Sequence, residues 1–186
     1  MIYESSSWKQ DLRRRKNLIL KYNVADRFEK NEDATYLVIE KAIFYSAFII
    51  RKLIDSAGKL SDEAENYSLK GFFVQPLKHI DLIHCWPEED SHDWENEKSV
   101  TVAGKNICNA LIHSYMFFTR SNEENVIDSF YVTSDFDKNK FLYRIPLNVW
   151  ISYIEYIVSD NIVRLEANYD KKSDDYKYSR KVRGTR

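Results

Sequence analysis

Apolar positions recur every three or four residues through most of the first 57 positions, and neither Gly nor Pro interrupts them. Trp8, Leu12, Ile19 and Tyr22 lay one stripe on a first helix, expected near 8–30, which Ser5, Ser6 or Ser7 can cap. Asn31, Glu32 and Asp33 break the pattern and open a second helix, expected near 34–57 and closed by Gly58. Its Ile39, Ile43, Ala47, Ile50, Leu53 and Ile54 fill one broad apolar arc, which makes it the central element. The opposite side sets Leu37, Phe44 and Phe48 among Glu40, Lys41, Lys52 and Asp55, and rings in such company need a covering from this chain or from a second subunit. Phe44 and Phe48 therefore mark an interaction face, and self-association through the second helix is the expected partner contact.

Later in the chain, Pro146 is suited to a first helical position, and Leu147, Trp150, Ile151, Ile154, Ile157, Val158, Ile162 and Leu165 predict a third long helix near 146–168. Between these lies a shorter helix, expected over 105–119, from the run KNICNALIHSYMFF. At 100° per residue Asn106, Asn109 and His113 fall within roughly 60° of one another, and Arg120 returns to the same strip two turns later. Ile107, Cys108, Leu111 and Phe118 lie on the side that packs inward. Residues 71–74 and 99–102 read as short extended pieces, and 77–86 fits a helix or a strand equally. Residues 126–134 and 140–145, around a turn-like 135–139, predict a β-hairpin over 126–145. The expected fold is α+β and mostly α: three long helices around the polar-striped helix, with the hairpin covering one side. Residues 1–168 are expected as one globular domain and 169–186 as a flexible polar tail.

Composition sharpens this in a few places. Hydrophobic residues make up 44% of the 186 and aromatic ones 15%, enough for one core built largely from rings, which excludes disorder for most of the chain. The net charge of −1 hides basic stretches at 9–30 and 164–186 around an acidic middle containing Asp81, Glu88, Glu89, Asp90, Asp93, Glu95 and Glu97. The basic ends offer a place for phosphate, or simply solvate the surface. Two cysteines, Cys85 and Cys108, and no secretory signal point to a cytoplasmic protein. The longest apolar run, 42–50, stops at Arg51 and Lys52, short of the ~20 residues of a membrane span, so no membrane partner is expected.

The chemistry concentrates on His113. An imidazole beside the Asn106 and Asn109 amides can act as a general base or acid, with Arg51 or Arg120 as the cation that stabilises a phosphorane in RNA cleavage. The other reading is structural, with Asn109 and His113 bonded to neighbouring backbone and fastening the hairpin to the helix. His79, His84, Cys85 and His92 match no zinc spacing, and there is no glycine-rich phosphate loop and no G-x-S-x-G elbow. No metal and no cofactor is expected.

The segments AFIIRKLIDSAGKLSDE, ICNALIHSYMF and VTSDFDKNKFLYRI together resemble a family of small uncharacterised bacterial proteins with an R-K-L helix, a C-N-x-x-I-H-S helix and an S-D-x-x-x-N-K-x-L-Y-R hairpin. That resemblance implies no activity. CNALIH is also similar to the R-N-x-x-x-H signature of the HEPN superfamily, which implies an all-helical, metal-independent RNase or nucleic-acid-associated defence module. Asn109 and His113 match its Asn and His, while Cys108 stands at the catalytic arginine's position. Two functions follow: a helical interaction or binding module, which the cysteine favours over an enzyme, and an RNase using His113.

Overall fold

The computed structural model describes residues 4–184. Helix α1 (Ser5–Tyr22) begins at Glu4, whose carboxylate accepts the Ser6 N–H, and buries Leu12 and Ile19. It does not continue to residue 30. The Asn23 side chain donates to the Ile127 carbonyl at 2.9 Å and accepts the Ile127 N–H at 2.8 Å, so the backbone leaves the helix for the carboxamide to reach a strand. A short α2 (Ala25–Lys30) buries Phe28. Asn31 then caps α3 (Glu32–Asp55) by accepting the Ala34 N–H at 3.0 Å. Along α3, Ile39, Ile43, Ile50 and Leu53 are fully buried, each contributing roughly 1.5–3 kcal/mol of transfer free energy. The chain turns back through Gly58 at φ +72°, and one more short helix, α4 (Asp62–Glu65), precedes the first strand.

Three long helices with a single hairpin is not the architecture. Strands β1 (Ser68–Val74), β2 (Lys98–Ala103), β3 (Ser114–Ser121), β4 (Ile127–Ser134) and β5 (Leu142–Pro146) form one antiparallel sheet in the order β2-β1-β5-β4-β3. The helix expected over 105–119 is α5 (Gly104–Ile112), and β3 follows it almost at once. Phe117 and Phe118 show why the helical reading fails. Phe117 points to the helix side, against Phe44 at 4.7 Å between ring centres, while Phe118 stacks on Tyr131 at 4.7 Å beside Trp94 on the other. A strand covered on both faces has a continuous apolar run, which periodicity cannot tell from a buried helix.

The helix expected over 146–168 is also shorter. Helix α6 (Leu147–Ser159) stops at Asp160, whose side chain is fully buried and accepts the Ser61 N–H at 2.9 Å and the Ser61 hydroxyl at 2.6 Å. That anchorage turns the backbone to an extended ψ of 128°. Ile162 and Leu165, which looked like the end of the helix's stripe, belong instead to β6 (Ile162–Asp170). Strand β6 pairs with β7 (Asp175–Arg183) as a separate two-stranded ribbon, so residues expected as tail are strand.

The larger core joins α1, α3, α5 and α6 to one face of the sheet, with Trp150, Tyr153 and Phe130 among its largest fully buried side chains. On the opposite face Val74, Met116, Tyr131 and Leu142 are covered by Ile80 and Trp94 of the long loop 75–97. That loop is held down by Asn139, whose side chain accepts the Ile80 N–H at 2.7 Å and donates to the Ile80 carbonyl at 3.2 Å. Among the described residues no helix is long and apolar enough to cross a membrane.

Candidate functional site

Helix α5 is placed by its first residue. A Cβ on Gly104 would stand 2.5 Å from the Tyr153 hydroxyl, so only glycine lets that buried ring close over the start of the helix. From there Ile107, Cys108 and Leu111 are fully buried, and Asn106, Asn109 and His113 turn the other way. Burial pushes the Cys108 thiol well above its ordinary range, against the smaller opposing effect of the Arg51 charge, so Cys108 is an inert core residue.

His113 is the first residue past the helix, and its N–H closes the last turn on the Asn109 carbonyl at 2.9 Å. Its own carbonyl accepts the Asp135 N–H at 3.4 Å, which brings the β4–β5 turn to the end of α5. The backbone makes this attachment. The His113 ring and the Asn106 side chain are exposed and take no hydrogen bond from any described residue. Asn109 is half-buried and oriented from behind, because Arg51 Nε donates to its side-chain oxygen at 2.7 Å. The same guanidinium pairs with Asp55 one turn on along α3.

Helix end and turn enclose an open cleft of about 570 Å³. Asn106, Asn109 and His113 form one wall, and the other comes from Ser134, Asp135, Phe136, Asp137, Phe141 and Tyr143. The two carboxylates are matched within the turn, Asp135 with Lys138 at 2.7 Å and Asp137 with Lys140 at 3.1 Å, so the wall is polar but locally neutral. Phe136 is 82% exposed, and the Lys140 ammonium sits 3.6 Å from its ring centre. Three of the four stripe residues thus converge. Arg120 does not, since α5 ends eight residues before it; it lies on β3 beside Asp128 at 3.8 Å, lining a separate surface hollow.

The sequence did not point to the second wall, whose one signal was its turn-like composition. Nor did it show the cluster in which Arg144 Nε meets Glu97 Oε1 at 2.7 Å and Tyr131 donates to the same oxygen at 3.1 Å. Burial there opposes the Glu97 charge, but the bonds and charge of Arg144 and the Tyr131 hydroxyl outweigh it and lower the Glu97 pKa. On α3, Phe44 is covered by Phe117, whereas Phe48 leans on Trp8 at 6.4 Å and stays 42% exposed. Among the described residues no three His, Cys, Asp or Glu side chains converge to hold a metal.

Fold and cleft together define a five-stranded antiparallel α+β protein with a polar, aromatic-walled recess at a helix end. The chain matches no protein-family model, no curated protein and no solved structure. The all-helical architecture implied by the R-N-x-x-x-H resemblance is not this fold.

Proposed function

We propose that this chain is a cytoplasmic binding module, and that the cleft at the end of α5 recognises a neutral, planar ligand with a hydrogen-bonding edge, of the nucleobase kind. The observation that carries this reading is the pair Asn106 and His113: exposed side chains with donors and acceptors that no described residue takes up, lining the same cleft as Phe136 and Tyr143. A carboxamide presents a donor and an acceptor side by side, the pattern that matches an adenine or cytosine edge, and aromatic faces hold any base by stacking. Two free cysteines fit a reducing compartment. Self-association through α3 has Leu37, Tyr45 and Phe48 as its exposed apolar material, since Phe44 is already covered.

A metal-independent RNase using His113 is the second reading, favoured by the exposed imidazole and by Arg51 behind Asn109. Against it, Arg51 is engaged by both Asn109 and Asp55, and Cys108 is sealed in the core. Titrating the labelled protein with the four nucleosides and with a short single-stranded RNA, while following the His113 ring and Asn106 amide resonances by NMR, tests both. The binding reading expects saturable shifts at these two side chains with the RNA left intact. Shifts elsewhere or none sink it, and RNA cleavage that disappears in His113→Ala establishes the enzyme instead.

A further inference from the structure

Of the three polar side chains on the α5 wall of the cleft, Asn109 alone is held. Asn106 and His113 are exposed and unbonded among the described residues, so the Asn106 carboxamide can turn over and the His113 ring can take either tautomer to suit a partner. The Asn109 carboxamide cannot. Arg51 Nε reaches it from α3 at 2.7 Å, and a guanidinium donates and never accepts, so the atom that faces Arg51 has to be the carboxamide oxygen. The guanidinium is steadied in turn by Asp55, one turn further along the same helix. Turning Asn109 over would set its NH2 against the Arg51 N–H, donor against donor in a half-buried place.

What Asn109 offers the cleft is therefore its nitrogen. Asn109 lines the cleft and Arg51 does not, so the bond between them lies behind the wall. The Asn109 Nδ2 donates to no described residue and is not sealed from solvent. Across the cleft, Ser134 gives its hydroxyl to Asp137 at 3.0 Å, while burial and the Asp137 charge push the Tyr143 phenol above its ordinary pKa and keep its O–H protonated. Resting on the reading of this cleft as a nucleobase site, we propose that Arg51 sets its specificity: by fixing Asn109 as a contact that only donates, it makes the cleft select bases with a ring carbonyl (uracil, cytosine, guanine or hypoxanthine) over adenine, which has none. A carbonyl oxygen carries two lone pairs and accepts from Asn109 together with a second donor from Asn106, His113 or Tyr143. Adenine's ring nitrogens accept one bond each, and its exocyclic amine set against Asn109 would bring two donors together. Arg51 touches no ligand and acts through Asn109, as a positioning residue.

Inosine and adenosine test this as a matched pair, because they share a ring system and a stacking area and differ in an oxo against an amino group. Calorimetric titration of the full chain should show inosine binding about tenfold more tightly than adenosine. Asn109→Asp keeps the Arg51 bond, now charge-assisted, and turns an acceptor oxygen to the cleft, so the preference should reverse. Arg51→Met keeps the aliphatic stem but releases the carboxamide, and the two affinities should come within about threefold of each other. Arg51→Lys, whose ammonium still donates, should keep the wild-type order. Loosened packing would lower both affinities together and leave their ratio alone. Equal binding of the two nucleosides by wild type, or a preference for inosine that survives Asn109→Asp, overturns the role of Arg51 and leaves the cleft a nucleobase site. Binding of neither nucleoside overturns both.

Discussion

Helices α5 and α6 each end in a polar residue, and the two ends behave in opposite ways. At the end of α6, Asp160 is fully buried, accepts two hydrogen bonds from Ser61, and draws in Lys9 and Arg183 at 3.9 and 3.7 Å. At the end of α5, His113 gives its backbone to the fold and its ring to solvent. A polar group with every partner supplied from within holds the structure together. One with none is available to a molecule from outside.

The sharpest way to break this contrast is at Asp160. Asp160→Ala leaves the Ser61 donors unpaired and two cations without their counter-charge, and burial already lowers the Lys9 pKa against the pull of Asp160. Chemical denaturation should show a loss of about 3–5 kcal/mol. Unfolding within 1 kcal/mol of wild type, measured on the ~1 kcal/mol scale of ordinary mutations, would mean that the anchorage at α6 contributes little. Next in size is Gly104→Ala, which sets a methyl against the buried Tyr153 hydroxyl; about 1–3 kcal/mol is expected, with circular dichroism reporting the thermal midpoint.

A third effect depends on pH. Burial depresses the His92 imidazole to about 4, with Trp94 at 5.0 Å and the Ser91 hydroxyl at 2.9 Å from Nδ1 as its neighbours. The unfolded chain therefore takes up this proton near the ordinary pKa of about 6.5 while the folded chain stays neutral. Stability from His92 is complete above that value and is lost as pH falls towards 4. The expected contribution is about 1–2 kcal/mol, because the loop that carries His92 is peripheral and opens locally. Comparing wild type with His92→Phe between pH 7 and 4 isolates it: the variant's profile should be flatter, and parallel profiles would refute the assignment.

Much of this contrast was hidden in the sequence, for a physical reason. Asn106, Asn109 and His113 were legible as a group because four-residue spacing on one helix is a local property. The opposite wall at 134–143 was not, because only the β3-β4-β5 pairing brings that turn to the end of α5. The helix boundaries failed where side chains reach distant backbone, Asn23 to Ile127 and Asp160 to Ser61. Composition carries no trace of such partners. Phe117 and Phe118 failed differently, since a strand buried on both faces erases the alternation that would reveal it.

The smallest expected effect is the most telling, and it belongs to His113→Ala. With the ring exposed and unbonded, its removal should leave the urea midpoint and the slope of unfolding as they are in wild type, within about 0.5 kcal/mol. A destabilisation of about 1–3 kcal/mol, the cost of a lost buried hydrogen bond, would show that the imidazole serves the fold after all and would remove the basis for a recognition site at the end of α5.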